Sequence, residues 1–311
     1  MMKKVTLSAM NKIWLLFLIS SLTLFAQAKD GRISNYYPDG KLKEVLTYKS
    51  GVLDGEVKRY STEGILLESL NYRNGKLNGN CRYYYDSGIL RDNYNYVDDI
   101  LNGEYSAYYE SGKLRDLGSY KNGNPDGRFQ TWYESGVMKA DYNYVNGQLQ
   151  DMNYEYHPNG KVRTEANYKN NIMEGIVKWY YDSGELQGEY NYQFGKLNGV
   201  SKEFYKSGAL KSEKNYLGGK AEGIQKEFFE SGVLSMEAAY KKSFQEGETK
   251  TYYKSGKLWT VQQYKMNRLD GLSTIYHEDG TVWYKDTYKE GNLVESIEFD
   301  NTGKEINRKT F

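Results

Sequence analysis

The chain has 311 residues, with 42 Lys and Arg against 41 Asp and Glu, and a net charge of +1. That balance excludes bulk attraction to nucleic acid or to an anionic membrane, and a single cysteine, Cys81, excludes an internal disulfide. Tyrosine (33) and glycine (32) are abundant while the apolar fraction is 39 % even with tyrosine counted, which excludes a thick aliphatic core.

At the start of the chain, Lys3, Lys4 and Lys12 precede an apolar run from Ile13 to Phe25, and Ala26-Gln27-Ala28 follows as a small-x-small cleavage site. Residues 1–28 read as an export signal. Met10 could open a compact signal by itself, and an uncleaved anchor is the alternative, although the run is shorter than a spanning helix needs. No cysteine follows Ala28, so a lipid-modified lipoprotein is not expected. Removing residues 1–28 takes away three lysines and no acid, leaving two negative charges. The expected location is the periplasm, the cell surface or the medium.

From residue 29 onward one glycine recurs every 24 residues, at Gly40, Gly64, Gly88, Gly112 and so on to Gly280, with Gly303 after a step of 23. A period of this size means stacked supersecondary units rather than one globular core. Four residues before each glycine stands an aromatic (Tyr36, Tyr60, Tyr84, Tyr108, Trp132 in the first five units), two after it an apolar residue, and eight after it a tyrosine, from Tyr48 to Tyr288 without exception. The spacing within a unit is two-fold: Leu42, Glu44, Leu46 and Tyr48 are expected on one face of a strand. A turn at Lys49-Ser50-Gly51 and a second strand from Glu56 to Tyr60 complete it.

A second column reads Gly51, Gly75, Asp99, Gly123, Gly147, Asn171, Gly195, Gly219, Ser243, Asn267, Gly291. Apart from Ser243 these residue types tolerate a left-handed backbone, so the position is expected to need φ > 0. The first column admits only glycine, which points to a stricter turn or a bulge. The fold expected is all-β: an elongated single antiparallel sheet of about eleven 24-residue hairpins over residues 36–303. Two strands about 4.8 Å apart advance the stack about 10 Å per repeat, giving a twisted rod on the order of 100 Å long. Residues 300–311 close it as a cap lacking the tyrosine and the second glycine.

Catalytic chemistry finds no foothold. His157 and His277 are five repeats apart, and each replaces the tyrosine that precedes a turn. Phosphate-cradle, nucleophile-elbow and metalloprotease motifs are absent from the sequence, and the repeating Gly-x-x-x-Gly is a turn spacing. No enzyme, metal or cofactor is expected. Cys81 falls where Val57, Phe129 and Val177 fall in their units, and is expected as a small buried hydrophobe. A binding stripe is the one candidate site. Three residues after the repeat glycine, Arg91, Arg115, Lys139 and Arg163 are basic in four consecutive repeats. On the other strand Lys178, Lys202, Lys226 and Lys250 form a second column, opposed by an acidic one (Asp141, Glu165, Glu189, Glu213, Glu237). The first stripe could meet an anionic polymer, lipid head groups or an acidic partner; both could equally be charges that keep a flat sheet soluble.

The unit Tyr109-Glu110-Ser111-Gly112-Lys113-Leu114, continuing to Tyr120-Lys121-Asn122-Gly123 and Asp126-Gly127, resembles the variant MORN repeat, as does Tyr181 to Gly199. The resemblance covers roughly residues 36–303. It implies a run of hairpins in one elongated sheet, and an interaction role with a protein, an envelope component or a membrane surface rather than catalysis. Many bacterial members are labelled antitoxins, and MORN repeats also occur fused to phosphatidylinositol-phosphate kinases. Asp151, Asp99, Asn171, Ser243 and Asn267 replace expected glycines and read as tolerated turn variants. The export signal departs from a cytoplasmic antitoxin. The aromatic choline-binding repeat is the rival, but its units are about 20 residues long, and the tryptophans here form no column. The function expected is an exported, non-catalytic scaffold binding a protein or surface polymer; the alternative is an antitoxin or immunity protein.

Overall fold

The computed structural model describes residues 30–311; the expected export signal, residues 1–28, lies outside them. The described residues contain no helix and form one open antiparallel sheet of 32 strand segments. Each strand pairs with its neighbours in the chain, as Leu42–Lys49 does with Gly31–Tyr36 on one side and Gly55–Tyr60 on the other. The elongated hairpin-repeat architecture expected from the period is what the chain adopts.

Two kinds of turn alternate along the two long borders. At Ser50-Gly51 both central residues have positive φ (50° and 77°), and the same holds in every unit through Glu290-Gly291. This is the type I′ geometry that matches strand twist in a two-residue hairpin. The second column is therefore left-handed throughout, at 70° for Asp99, 65° for Asn171, 71° for Ser243 and 67° for Asn267. These four share a compensation that glycine cannot make. Each accepts, on a side-chain oxygen, an amide hydrogen of the preceding repeat: Leu77, Leu149, Ala221 and Gln245, at 2.6–3.0 Å. Ser243 is thereby explained.

The other turn runs from Tyr37 to Gly40. Gly40 N–H donates to the Tyr37 carbonyl (2.9 Å), and Tyr37 N–H donates to the Lys41 carbonyl (2.8 Å), with φ +83° at Gly40. The glycine also faces the preceding repeat. A Cβ on Gly88 would stand 3.4 Å from Ile65, and one on Gly184 2.9 Å from Lys161. Left-handed φ in every unit explains why the first column admits only glycine, and in units such as these two the preceding repeat adds a steric limit.

Just beyond this turn every repeat carries a β-bulge. Tyr36 pairs with Leu42 and Asn35 with Glu44, so Lys43 has no partner in the ladder; the same residue is passed over in each later unit. The bulge corrects one expectation. Because strands alternate faces, Leu42 lies on the face opposite Glu44, Leu46 and Tyr48. The final unit is irregular. The step of 23 is a shortened irregularity in which Tyr288 pairs with Leu293 and Thr287 with Glu295. Phe311 then occupies the tyrosine column, its N–H donating to the Val294 carbonyl at 3.0 Å.

One face holds the core. Val57, Leu70 and Cys81 are buried beneath Leu46, Leu53, Tyr72, Leu77, Tyr83 and Tyr96. Cys81 is thus the inert packing residue expected, its thiol pushed up by burial. The row continues as stacked rings: Tyr94 on Tyr105 (4.8 Å between centroids) and Tyr105 on Phe129 (5.7 Å). Opposite Tyr105 in the ladder stands Gly118, where a Cβ would collide with the Phe129 ring. From Ser201 onward the row becomes polar but stays buried, with Gln225, Thr249 and Ser273. Gln225 serves backbone groups left over where strands separate, accepting from Asn215 N–H and donating to the Asn215 carbonyl, both at 3.0 Å.

Between repeats, in most units the ring that opens the glycine turn binds the next unit. Hydroxyls of Tyr37, Tyr85, Tyr109, Tyr133, Tyr181, Tyr205 and Tyr253 donate to backbone carbonyls 23 residues on, at 2.7–2.9 Å. His157 places Nε2 3.0 Å from the Tyr180 carbonyl oxygen, reproducing the tyrosine's bond. His277 instead stacks on Trp283 at 4.8 Å.

Replacing Asn171 by Gly should leave stability within about 0.5 kcal/mol, because lost side-chain bonding is offset by relief of φ. Asn171→Val should cost roughly 1–2 kcal/mol, since a β-branched residue resists the left-handed region; urea unfolding checks both. Tyr109→Phe should cost about 1 kcal/mol for the lost hydroxyl bond, whereas His157→Tyr should be neutral. The rings also set an alkaline limit. Burial, reinforced by the Asp116 carboxylate, pushes the Tyr105 hydroxyl up to about 12 from an ordinary 10.0, and burial raises Tyr83 and Tyr94 further. The folded state therefore holds protons that the unfolded chain releases. The rings' contribution to stability should be constant below pH 10 and be lost as pH rises from about 10 to about 12, by about 1.4 kcal/mol per unit for Tyr105. Urea midpoints across that range should show this, with a shallower decline for Tyr105→Phe.

Candidate functional site

The bulge residues form the sequence's candidate stripe. At a bulge two residues of one strand oppose one of its partner, so the extra side chain leaves the ladder's alternation and is re-aimed. Arg91, Arg115, Lys139 and Arg163 occupy that position in consecutive units. Their contacts place them on the core face, beside its glycine-turn border. Arg91 Nε donates to Asp92 (2.7 Å), and Arg115 Nε to Asp116 (2.8 Å) while also lying 3.7 Å from Asp92. Arg163 pairs with Glu155 at 2.5 Å. The Lys139 ammonium lies over the Tyr133 ring, 5.8 Å from its centroid.

Two arginines and two aspartates thus make a neutral cluster across two repeats. Burial opposes the charge of Arg115, but the Asp116 carboxylate outweighs it and holds the guanidinium well above its usual range. Arg91, Arg115 and Arg163 keep between a third and a half of their side chains exposed. Such pairs are worth little in water and can be exchanged for a ligand's anionic groups at small cost. The same position carries Trp259 and Trp283 in later units, each packed on the ring that precedes its own turn.

The second lysine column lies on the opposite, open face and does not stand alone. The ladder runs Glu165, Lys178, Glu189, Lys202, Glu213, Lys226, Glu237, Lys250, each directly opposite the next on successive strands. Eight strands therefore carry eight strictly alternating charges. The contacts along the row are loose, Lys178–Glu189 3.9 Å, Lys202–Glu213 3.8 Å and Lys250–Glu237 4.0 Å, all with partly exposed side chains, while Lys250 at the end of the row is also held at 2.6 Å by Glu248. Beside this row Ile176, Val200 and Ile224 project from alternate strands, each 44–55 % exposed. The acidic and basic columns were legible in the sequence; their merging into one row was not, because it depends on register. The aliphatic row was missed, although its 24-residue spacing was visible.

Among the described residues no three His, Cys, Asp or Glu side chains are placed to hold a metal ion, and no helix is long and apolar enough to cross a membrane.

No curated protein matches the sequence. Among solved structures, a TcdB2–TccC3–TEV chain matches with 13 % identity and a TM-score of 0.17, over 90 % of this chain and 19 % of that one. The Photorhabdus luminescens Tc holotoxin pore matches with 12 % identity and a TM-score of 0.16, over 90 % and 18 %. This chain therefore spans less than a fifth of the length of either. A family model described as the MORN repeat variant matches ten segments, from 29–50 and 53–74, through 101–122 and 125–146, to 269–290. The unmatched stretch between 74 and 101 folds as the same hairpin, with strands Gly79–Tyr84 and Leu90–Val97. The chain belongs to the MORN repeat variant family.

Proposed function

We propose that this protein is an exported, non-catalytic scaffold. It binds a protein or an anionic envelope polymer along the glycine-turn border of its core face, through Arg91, Arg115, Lys139 and Arg163. The observation that carries this is the bulge. It is a strand position that the ladder passes over, and its residue type varies from Lys and Arg to Leu, Gln, Ser and Trp. The turn glycines and the tyrosine column are occupied alike in every unit because the fold needs them there. Specific recognition belongs where repeats differ without cost. Successive bulges about 10 Å apart would present basic groups at a pitch suited to an extended anionic partner.

The decisive experiment is capture from the producer's envelope fraction, comparing wild type with a variant in which all four residues are changed to Glu. The wild type should retain a component whose binding weakens as salt rises, and the variant should lose it. Equal capture by both, with unchanged salt dependence, would overturn the role of the stripe. N-terminal sequencing of the mature chain should begin after Ala28. An intact leader on a cytoplasmic chain that captures a toxin would replace the proposal with neutralisation.

A further inference from the structure

We infer that the open face between residues 154 and 261 is a self-association surface, on which a second copy of this chain docks face to face about a two-fold axis. The argument begins with the alternating row. A two-fold axis lying in the interface along the strand direction turns one sheet over and reverses the order of its strands. The side chain on the first strand of the row then meets that on the eighth, the second meets the seventh, and so on. Because the row has an even number of members and alternates strictly, every charge meets its opposite: Lys202 meets Glu213 of the other copy, and Glu189 meets Lys226. An odd row would have failed this test, and so would one interrupted by a repeated sign.

The match continues past both ends. The residue before Glu165 in the row is Tyr154 and the one after Lys250 is Val261; the same rotation brings these two apolar, half-buried side chains together. The aliphatic row adds contact area. Ile176, Val200 and Ile224 stand on the even strands of the row, and the rotation exchanges even strands for odd. Val200 and Ile224 of one copy therefore each fall between two aliphatic side chains of the other, and Ile176 lies beside the outer one, Ile224, as packed sheet faces require. This is an isologous interface, in which one patch is complementary to itself. Loose ion pairs along the row, at 3.8–4.0 Å, leave its charges partly exposed for a partner, with Lys250 at the end of the row also paired to Glu248 at 2.6 Å. Twisted sheets pack at about 30° to one another, so contact is firmest within the central strands of the row. The proposal concerns the face opposite the basic stripe and does not depend on it.

A charge-swap pair tests it in the full chain. Glu189→Lys alone would set two ammonium groups against each other wherever position 189 of one copy meets Lys226 of the other. Lys226→Glu alone would set two carboxylates together at the same contacts. In a mixed dimer of the two variants, position 189 of each copy again faces an opposite charge at position 226 of the other. Sedimentation velocity should show a salt-sensitive dimer for the wild type, a dissociation constant raised by about tenfold or more for either variant alone, and recovery on mixing the two. Circular dichroism confirms that each variant is folded, and recovery on mixing itself excludes misfolding. A monomeric wild type, variants that dimerise as the wild type does, or a mixture that stays monomeric would each overturn the inference.

Discussion

The whole assembly depends on one hydrogen bond made once per repeat. The second residue of each type I′ turn donates its N–H to a carbonyl in the preceding repeat: Gly75 to Leu53 at 2.7 Å, Asp99 to Leu77 at 2.9 Å, Gly123 to Leu101 at 2.8 Å, and so along the border. A turn with both central φ angles positive is strained for most residues, and alone it would be a weak hairpin. Held by its predecessor, it fixes where each strand begins and so enforces the period. An isolated two-stranded unit is marginal in water, so stability lies in the junctions between units, as in other solenoids.

That dependence explains how the two borders of the sheet behave. Along the type I′ border, side-chain oxygens of the preceding repeat also accept the first turn amide, as Asp54 does from Asn74 and Glu174 does from Phe194. Polar residues there act as fasteners between units. Along the other border, the tyrosine hydroxyls bridge to the next unit's backbone, and His157 performs the same task with an imidazole. A histidine that looks like a candidate for chemistry is a fastener. The glycine columns are the complement of these contacts: they are the places where the turns need a left-handed backbone.

The sheet's two faces then take different roles. One is closed by its own aromatic rings, and its charges at the bulges are balanced by carboxylates next to them. The other exposes an ordered row of alternating charge with aliphatic side chains beside it. On a one-layer protein both faces are surface, and what separates them is which is consumed by internal packing. The buried row passes from Val57 and Cys81 to Ser201 and Ser273 because the wide aromatic cluster lies in the first half. In the second half the row is polar, and Gln225 there serves the backbone at an irregularity.

The period, the two turns, the left-handed column, the single sheet and the burial of Cys81 were determined by sequence alone, because each rests on a local requirement repeated along the chain. A glycine or tyrosine present in every copy announces a need that every copy shares. Tertiary structure decided what depends on register. The bulge at Lys43 moves Leu42 to the other face, a shift of one residue that no two-fold pattern can show. Pairing across successive strands merges Glu165 to Lys250 into one row, though the sequence displays two separate columns. Local chemistry is written in residue type, whereas the partner across a strand is set by the sum of turns and bulges between them, and that sum is known only when the chain has folded.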